Sequence, residues 1–207
     1  MSSDFSRRQA LVHIGKALVL TGCGSQILPP VLAQHVHEEV AAVKSLDPGN
    51  YKPKYLTDHE YKTLRVLADL IVPTDEHSKG ALDAGAPEFI DFLCSRSAEL
   101  AEIYSGGLAW IDAEMKRRAG ASFVDAKSEP RTALLDVIAY SKNDSPQVAT
   151  GIRFFRWVRN MVIDAYYTSP VGIKDLGFMG NGAVSQFSVP KEAVEYALNR
   201  SPFAGQV

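Results

Sequence analysis

The chain has 207 residues, of which 46% are apolar and 22% charged, and its net charge is −2. That length and balance predict one compact soluble domain with a true core, or one domain plus tails. The charge excludes the basic surplus of a nucleic-acid binder. No run of about 18 apolar residues is present to encode an ordinary transmembrane helix. Of the two cysteines, Cys23 and Cys94, the first would be lost with a targeting segment of 23 to 33 residues or become a lipid-modified N-terminus, so neither an intrachain disulfide nor a structural zinc is expected.

The N-terminus is read as an address. Ser6-Arg7-Arg8-Gln9-Ala10-Leu11 resembles a twin-arginine export signal, the type that carries folded proteins across the bacterial inner membrane. The match lies at Ser6, Arg7, Arg8 and Leu11, and Ala10 stands where a Phe is more usual. The apolar stretch after it is interrupted by His13 and Lys16, which suits this signal better than the general secretory kind. Two processing points compete. Leu20-Thr21-Gly22-Cys23 has the form of a lipobox, which would acylate Cys23. Val31-Leu32-Ala33 before Gln34 has the form of a small-residue cleavage site. A leader that is never cut and forms an amphipathic helix is the third option.

Residues 34–56 contain Pro48, Gly49 and Pro53 and predict an extended arm or linker, with a short helix at 35–44. From there helical signals are regular. Thr57 and Glu60 form a capping box, and Tyr61, Leu64, Leu67, Ala68 and Ile71 mark one helical face that Pro73 ends. After the loop from Thr74 to Gly85, Pro87 suits the first turn of a second helix, with acidic Glu88 and Asp91 near its start. Ile90, Leu93, Cys94, Leu100, Ala101 and Tyr104 predict that it continues to Gly106-Gly107, which breaks it. A third helix is expected from about Leu108 to Arg118, and a fourth opens at Ser128 with Pro130.

The strongest periodicity comes after Pro146, over 147–167. At about 100° per residue, Phe154, Phe155, Trp157, Val158, Met161, Val162, Ala165 and Tyr166 fall on one half of the wheel. Arg153, Arg156, Arg159, Asn160 and Asp164 fall on the other. So wide an apolar half belongs at the centre of a bundle or under a partner. The arginines read most simply as a solvated face, with a partner interface as the second reading. Tyr166 lies on the apolar side, and Tyr167 points about 100° away; either its ring and hydroxyl stand where an interface anchor would be, or both tyrosines pack against the tail over 171–187. A final helix is expected over about Lys191 to Asn199. No alternating strand pattern appears, so the predicted fold is all-α: a helical bundle over 57–207 with an N-terminal arm and an irregular C-terminal segment ending in a short helix.

No motif assembles chemistry. There is no Gly-x-Gly-x-x-Gly turn, no Cys-x-x-Cys-His, no phosphate loop and no nucleophile elbow. His35 and His37 are two apart, which puts them on different faces of a helix. The loop with Asp75, Glu76, His77 and Asp83 has ligands for a hard cation, but its simpler reading is a polar loop in water. The expectation is no catalytic, cofactor-binding or metal-binding residue in this chain.

Three blocks look familiar together: Ile71-Val72-Pro73-Thr74-Asp75 with Gly80-Ala81-Leu82-Asp83-Ala84-Gly85-Ala86-Pro87-Glu88-Phe89-Ile90-Asp91, then Gly106-Gly107-Leu108-Ala109-Trp110-Ile111-Asp112, then Phe154-Phe155 through Ala165-Tyr166-Tyr167-Thr168-Ser169-Pro170-Val171-Gly172. In order and spacing, over roughly 57–182, they resemble the gluconate 2-dehydrogenase subunit 3 family. The resemblance implies a small, non-catalytic subunit beside a flavin-carrying large subunit of the glucose–methanol–choline type. FAD would sit in that partner, and haem in a cytochrome c partner that takes the electrons. The complex would work in the periplasm or on the periplasmic face of the inner membrane. The end of the chain, from Phe178 onward, departs from the cysteine-containing ending expected of the family. Residues 1–33 would then be the leader, read by the twin-arginine translocase, and the subunit would bind, stabilise and escort its flavoprotein. The alternatives are a free-standing exported helical protein that binds a ligand or acts as an assembly chaperone, and a metalloenzyme built on the acidic loop.

Overall fold

The protein's structure, a computed structural model, describes residues 30–46, 51–178 and 189–200. Among them, helices account for all regular structure, as the periodicity predicts. In chain order they are α1 (Pro30–Leu46), α2 (Asp58–Ile71), α3 (Ala86–Cys94), α4 (Ala98–Ala119), α5 (Ser128–Ile138), α6 (Ala149–Tyr167), α7 (Pro170–Asp175) and α8 (Lys191–Arg200). A 3-10 turn at Ser141–Asn143 comes after α5. The first seven belong to one compact unit that ends at Gly177. Helix α8 belongs to a second, Phe178–Val207, where Lys191 and Glu195 pair 3.6 Å apart across one turn.

Helix α2 starts as its capping box dictates. The Glu60 amide donates to the Thr57 hydroxyl, and Glu60 Oε2 takes the Thr57 amide at 2.9 Å. It ends at Ile71, two residues before Pro73, whose ring excludes a further helical turn. Helix α3 is the hub. It packs on α1, α2, α4 and α6, and every one of its residues except Leu93 is buried. Helix α6 forms the second axis and packs on α2, α3, α4, α5 and α7. Its apolar half, expected at a bundle centre or under a partner, supplies Phe154, Phe155, Val158, Met161, Val162, Ala165 and Tyr166 to the core. The core is one contiguous cluster from Ala33 to Ala165.

Three boundaries differ from the sequence reading, each for a tertiary reason. Gly106-Gly107 does not break the chain: α4 runs through both. A Cβ on Gly107 would lie 1.9 Å from Cδ2 of Phe154, so the glycine is the slot that lets the α6 ring reach the α4 backbone. That close contact offsets the roughly 1 kcal/mol a glycine costs inside a helix. The second helix does not continue past Cys94. It stops there, and Ser97 starts α4 by accepting the Leu100 amide at 3.3 Å. Lastly, the segment read as an arm with a helix at 35–44 holds the longer α1, and non-helical backbone is found beyond it over 51–56. Ala33, Val36 and Val40 are buried in the core, one face of α1 lying on α3, and that burial supports a helix whose sequence alone is only weakly amphipathic.

Candidate partner-docking site

Two carboxylates that look like ordinary helix-start residues instead hold the N-terminal segment to the domain. Asp91 is completely buried. Its Oδ2 accepts the Tyr51 hydroxyl at 2.8 Å and the Lys54 amide at 2.6 Å. Its Oδ1 accepts the amides of Tyr55 at 3.1 Å and Leu56 at 2.9 Å. One side chain therefore takes three successive amides, 54 to 56, and one hydroxyl of a non-helical strap over 51–56. A buried charge is tolerated only when so paired. Burial first, and then the neighbouring Asp91, push the Tyr51 phenol far above its ordinary range, so it stays a proton donor. Glu88 is 2% exposed and takes Lys44 of α1 at 3.0 Å, with Arg65 of α2 at 3.9 Å. On the same side of α1, His37 Nε2 lies 3.0 Å from the Thr168 hydroxyl, and its ring packs 4.7 Å from Phe89. Burial lowers the His37 pKa, and a hydrogen bond to the Ala165 backbone offsets part of that.

Thr168 closes the end of α6, where the two tyrosines separate. Tyr166 is 1% exposed, and its hydroxyl donates to the Lys79 carbonyl at 2.9 Å. Tyr167 is 40% exposed, and its ring meets Tyr166 edge-on at 4.9 Å. The chain then turns sharply. Ser169 donates to the Tyr166 carbonyl at 2.6 Å, its hydroxyl receives the Gly172 amide at 3.1 Å, and Pro170 takes the first turn of α7. Ile173 and Leu176, at and just beyond the end of α7, are exposed.

On the outer side of α6, Arg156, Arg159, Ile163 and Tyr167 succeed one another at steps of three, four and four residues, and so form one ridge. Arg156 is exposed and Arg159 half-buried, while Ile163 is 38% exposed. Arg153 is also exposed, with Nη2 3.5 Å from the Thr150 hydroxyl. The four candidate interface residues read from the sequence thus share the outward side of one helix, and three of them lie on this ridge. Ile163 was missed, although its wheel position among the arginines rather than the aromatics marks it. Ile173 and Leu176 had no periodic signal, because α7 is too short to give one. Arg7, Arg8 and Cys23, the targeting and lipidation candidates, lie outside the described residues.

The remaining titratable groups are placed structurally. In the acidic loop, the Asp75 carboxylate accepts the amides of His77 at 2.8 Å and Ser78 at 2.7 Å, and those two bonds hold it below the usual carboxylate range. Among the described residues, no three His, Cys, Asp or Glu side chains gather as metal ligands would. The Cys94 thiol is buried, and burial followed by nearby Asp91 pushes it up to about 12, far from a reactive thiolate. His59 pairs with Asp112, which also accepts the Phe123 amide at 2.8 Å and so ties α2, α4 and the loop after α4 together. A shallow depression beside α2 is lined by Lys62, Arg65, Val66, Asp69, Leu82 and Val124 and is open to solvent. No described helix is long and apolar enough to cross a membrane.

No curated protein and no solved structure matches the chain. Residues 58–185 match the family model described as gluconate 2-dehydrogenase subunit 3. The match begins at the capped start of α2 and takes in the α3 hub and the whole of α6 with its tyrosine pair, which is well over half of the chain. This protein belongs to the gluconate 2-dehydrogenase subunit 3 family.

Proposed function

We propose that this chain is the non-catalytic small subunit of a periplasmic sugar or glycoside dehydrogenase, and that it binds, stabilises and escorts a flavin-carrying large subunit. The family is that of a dehydrogenase subunit. The observation that carries the docking reading is the outer ridge of α6. Two arginines are followed by Ile163 and Tyr167, which keep 38% and 40% of their surface in contact with water while the opposite side of the helix is solidly packed. Tyrosine and arginine are among the residues most enriched at energetic centres of interfaces, because each joins a large flat surface to hydrogen-bonding atoms. Arg156 and Arg159 would meet carboxylates of the large subunit, and Tyr167 would fill an apolar pocket. The redox chemistry belongs in this reading to FAD in the large subunit, with haem in a cytochrome c subunit as the next electron carrier. The twin arginines Arg7 and Arg8 would bring the folded pair to the translocase.

The test is co-expression with a flavin-dependent large subunit of the glucose–methanol–choline type and measurement of subunit affinity. Tyr167→Ala is expected to weaken association by about 1–3 kcal/mol, the usual range for an anchoring aromatic, and to leave the helical circular dichroism intact. Tyr140→Ala serves as the control. Tyr140 is 57% exposed and comes just after α5, whose end meets α6 near Gly151, roughly 25 Å along the helix from Tyr167 at 1.5 Å per residue. Equal affinity for the Tyr167 variant and wild type would remove the ridge as the docking site. Sugar oxidation by the isolated, flavin-free chain would remove the non-catalytic reading.

A further inference from the structure

Of the competing processing points in the leader, one lies on described structure. The Ala33–Gln34 bond is inside α1, in its first turns. Ala33 is completely buried, and Val36 and Val40 beyond it are 9% and 5% exposed in the same core cluster. The helix is tied down further by His37 to Thr168 at 3.0 Å and by Lys44 to Glu88 at 3.0 Å. We infer that folding closes this cleavage site, and that α1 is a permanent part of the mature subunit rather than the tail of its leader. This rests on the export reading above, in which the chain folds before it crosses the membrane.

Two physical reasons act together. A peptidase that selects small side chains on the leader side of the bond takes its substrate extended, with those side chains in its own pockets. In α1 the Ala33 carbonyl is committed to the helical ladder and its methyl group to the core, so cutting requires α1 to unwind and leave α3 first. Opening of that kind costs a large part of the free energy that holds the segment in place. The product is also disfavoured. A cut after Ala33 strips the first turn of α1 and removes a buried side chain. It also leaves a new ammonium group on Gln34 at the end of the helix where the backbone dipole is already positive.

The experiment compares the purified full-length precursor with a synthetic peptide covering residues 24–46, each incubated with leader peptidase in detergent, and adds the intact mass of the exported protein. The expected result is a peptide cut after Ala33, a folded precursor that resists at that bond, and an exported protein that retains Pro30–Leu46 whole, whether it starts at Met1, Ser2 or Cys23. Cleavage of the folded precursor at Ala33, or an exported chain beginning at Gln34, overturns the inference. A peptide that resists as well as the precursor also overturns it, because the fold would then not be what protects the bond. Cell fractionation separates this from the export reading: a protein confined to the cytoplasm fails that reading, while the precursor digestion still decides the fate of α1.

Discussion

Replacing Asp91 by Asn changes almost nothing in size and should still be among the most damaging single substitutions in the domain. The carboxylate oxygens accept two donors each: Tyr51 hydroxyl and Lys54 amide on one, Tyr55 and Leu56 amides on the other. An amide side chain offers one oxygen and one NH2, so whichever way it turns, two of the four donors face hydrogens. A buried donor left without an acceptor costs about 1–3 kcal/mol, and the two surviving bonds lose their charge assistance. The expected loss is about 2–5 kcal/mol, a large share of the 5–15 kcal/mol typical of a domain. At about 2–4 °C per kcal/mol for a chain of this size, Tm should fall by about 4–20 °C. Tyr51→Phe removes a single donor and should cost only about 1 kcal/mol. Thermal and urea unfolding give the totals, and hydrogen exchange at the Lys54, Tyr55 and Leu56 amides shows whether the damage starts in the strap. If Asp91→Asn melts within about 1 °C of wild type with those amides still protected, the carboxylate is not what holds the strap.

Adjacent glycines in α4 should respond with opposite signs: Gly106→Ala, with nothing within 4 Å of the new methyl, should stabilise by about 0.5–1 kcal/mol. Gly107→Ala, which drives a methyl into the buried Phe154 ring, should cost about 1–3 kcal/mol of overpacking, and urea unfolding of both measures the pair. Tyr166→Ala should lower Tm by removing buried volume worth about 3–5 kcal/mol, while Tyr166→Phe keeps the ring and loses only the hydroxyl's bonds to the Lys79 carbonyl and Ser78, about 1–2 kcal/mol. The pKa of His37 is lowered in the folded protein, so the unfolded chain binds its proton first. The associated stability is present above the ordinary histidine range and is lost as pH falls through that range toward the folded value. Wild type should therefore lose more Tm than His37→Gln between about pH 7.5 and pH 5, and equal losses would show that His37 is not the group responsible.

What the sequence made legible was local chemistry with a fixed register. Thr57 and Glu60 are three residues apart and need nothing else to cap α2. The wheel of α6 separates Tyr166 from Tyr167 by geometry alone, and the structure has one ring inside and the other out. What stayed hidden depends on residues far along the chain. Nothing near Gly107 announces Phe154, so the glycine pair reads as a break when it is a contact. Nothing near Asp91 announces the amides of 54–56, so a helix-start acid conceals a buried anchor. Apolar spacing carries on from Cys94 to Tyr104 as if one helix continued, and only Ser97, a good cap, hinted at the stop. The length of α1 was out of reach for the same reason, since its support comes from α3 and from Thr168.

The contact between His37 and Thr168 joins residues 131 positions apart. A ribosome delivers α1 before α3, on which it packs, and Thr168 only after α6 is complete. Until Thr168 has left the exit tunnel, the first helix has no complete seat, and long-range contacts of this kind are slow to form because a large loop must close before they reward it. The face of α1 that lies on α3 can therefore be covered early, while the His37–Thr168 bond waits for the rest of the bundle. The two holds on α1 are thus separated in the order of manufacture: α3 emerges first, and the end of α6 becomes available only afterwards.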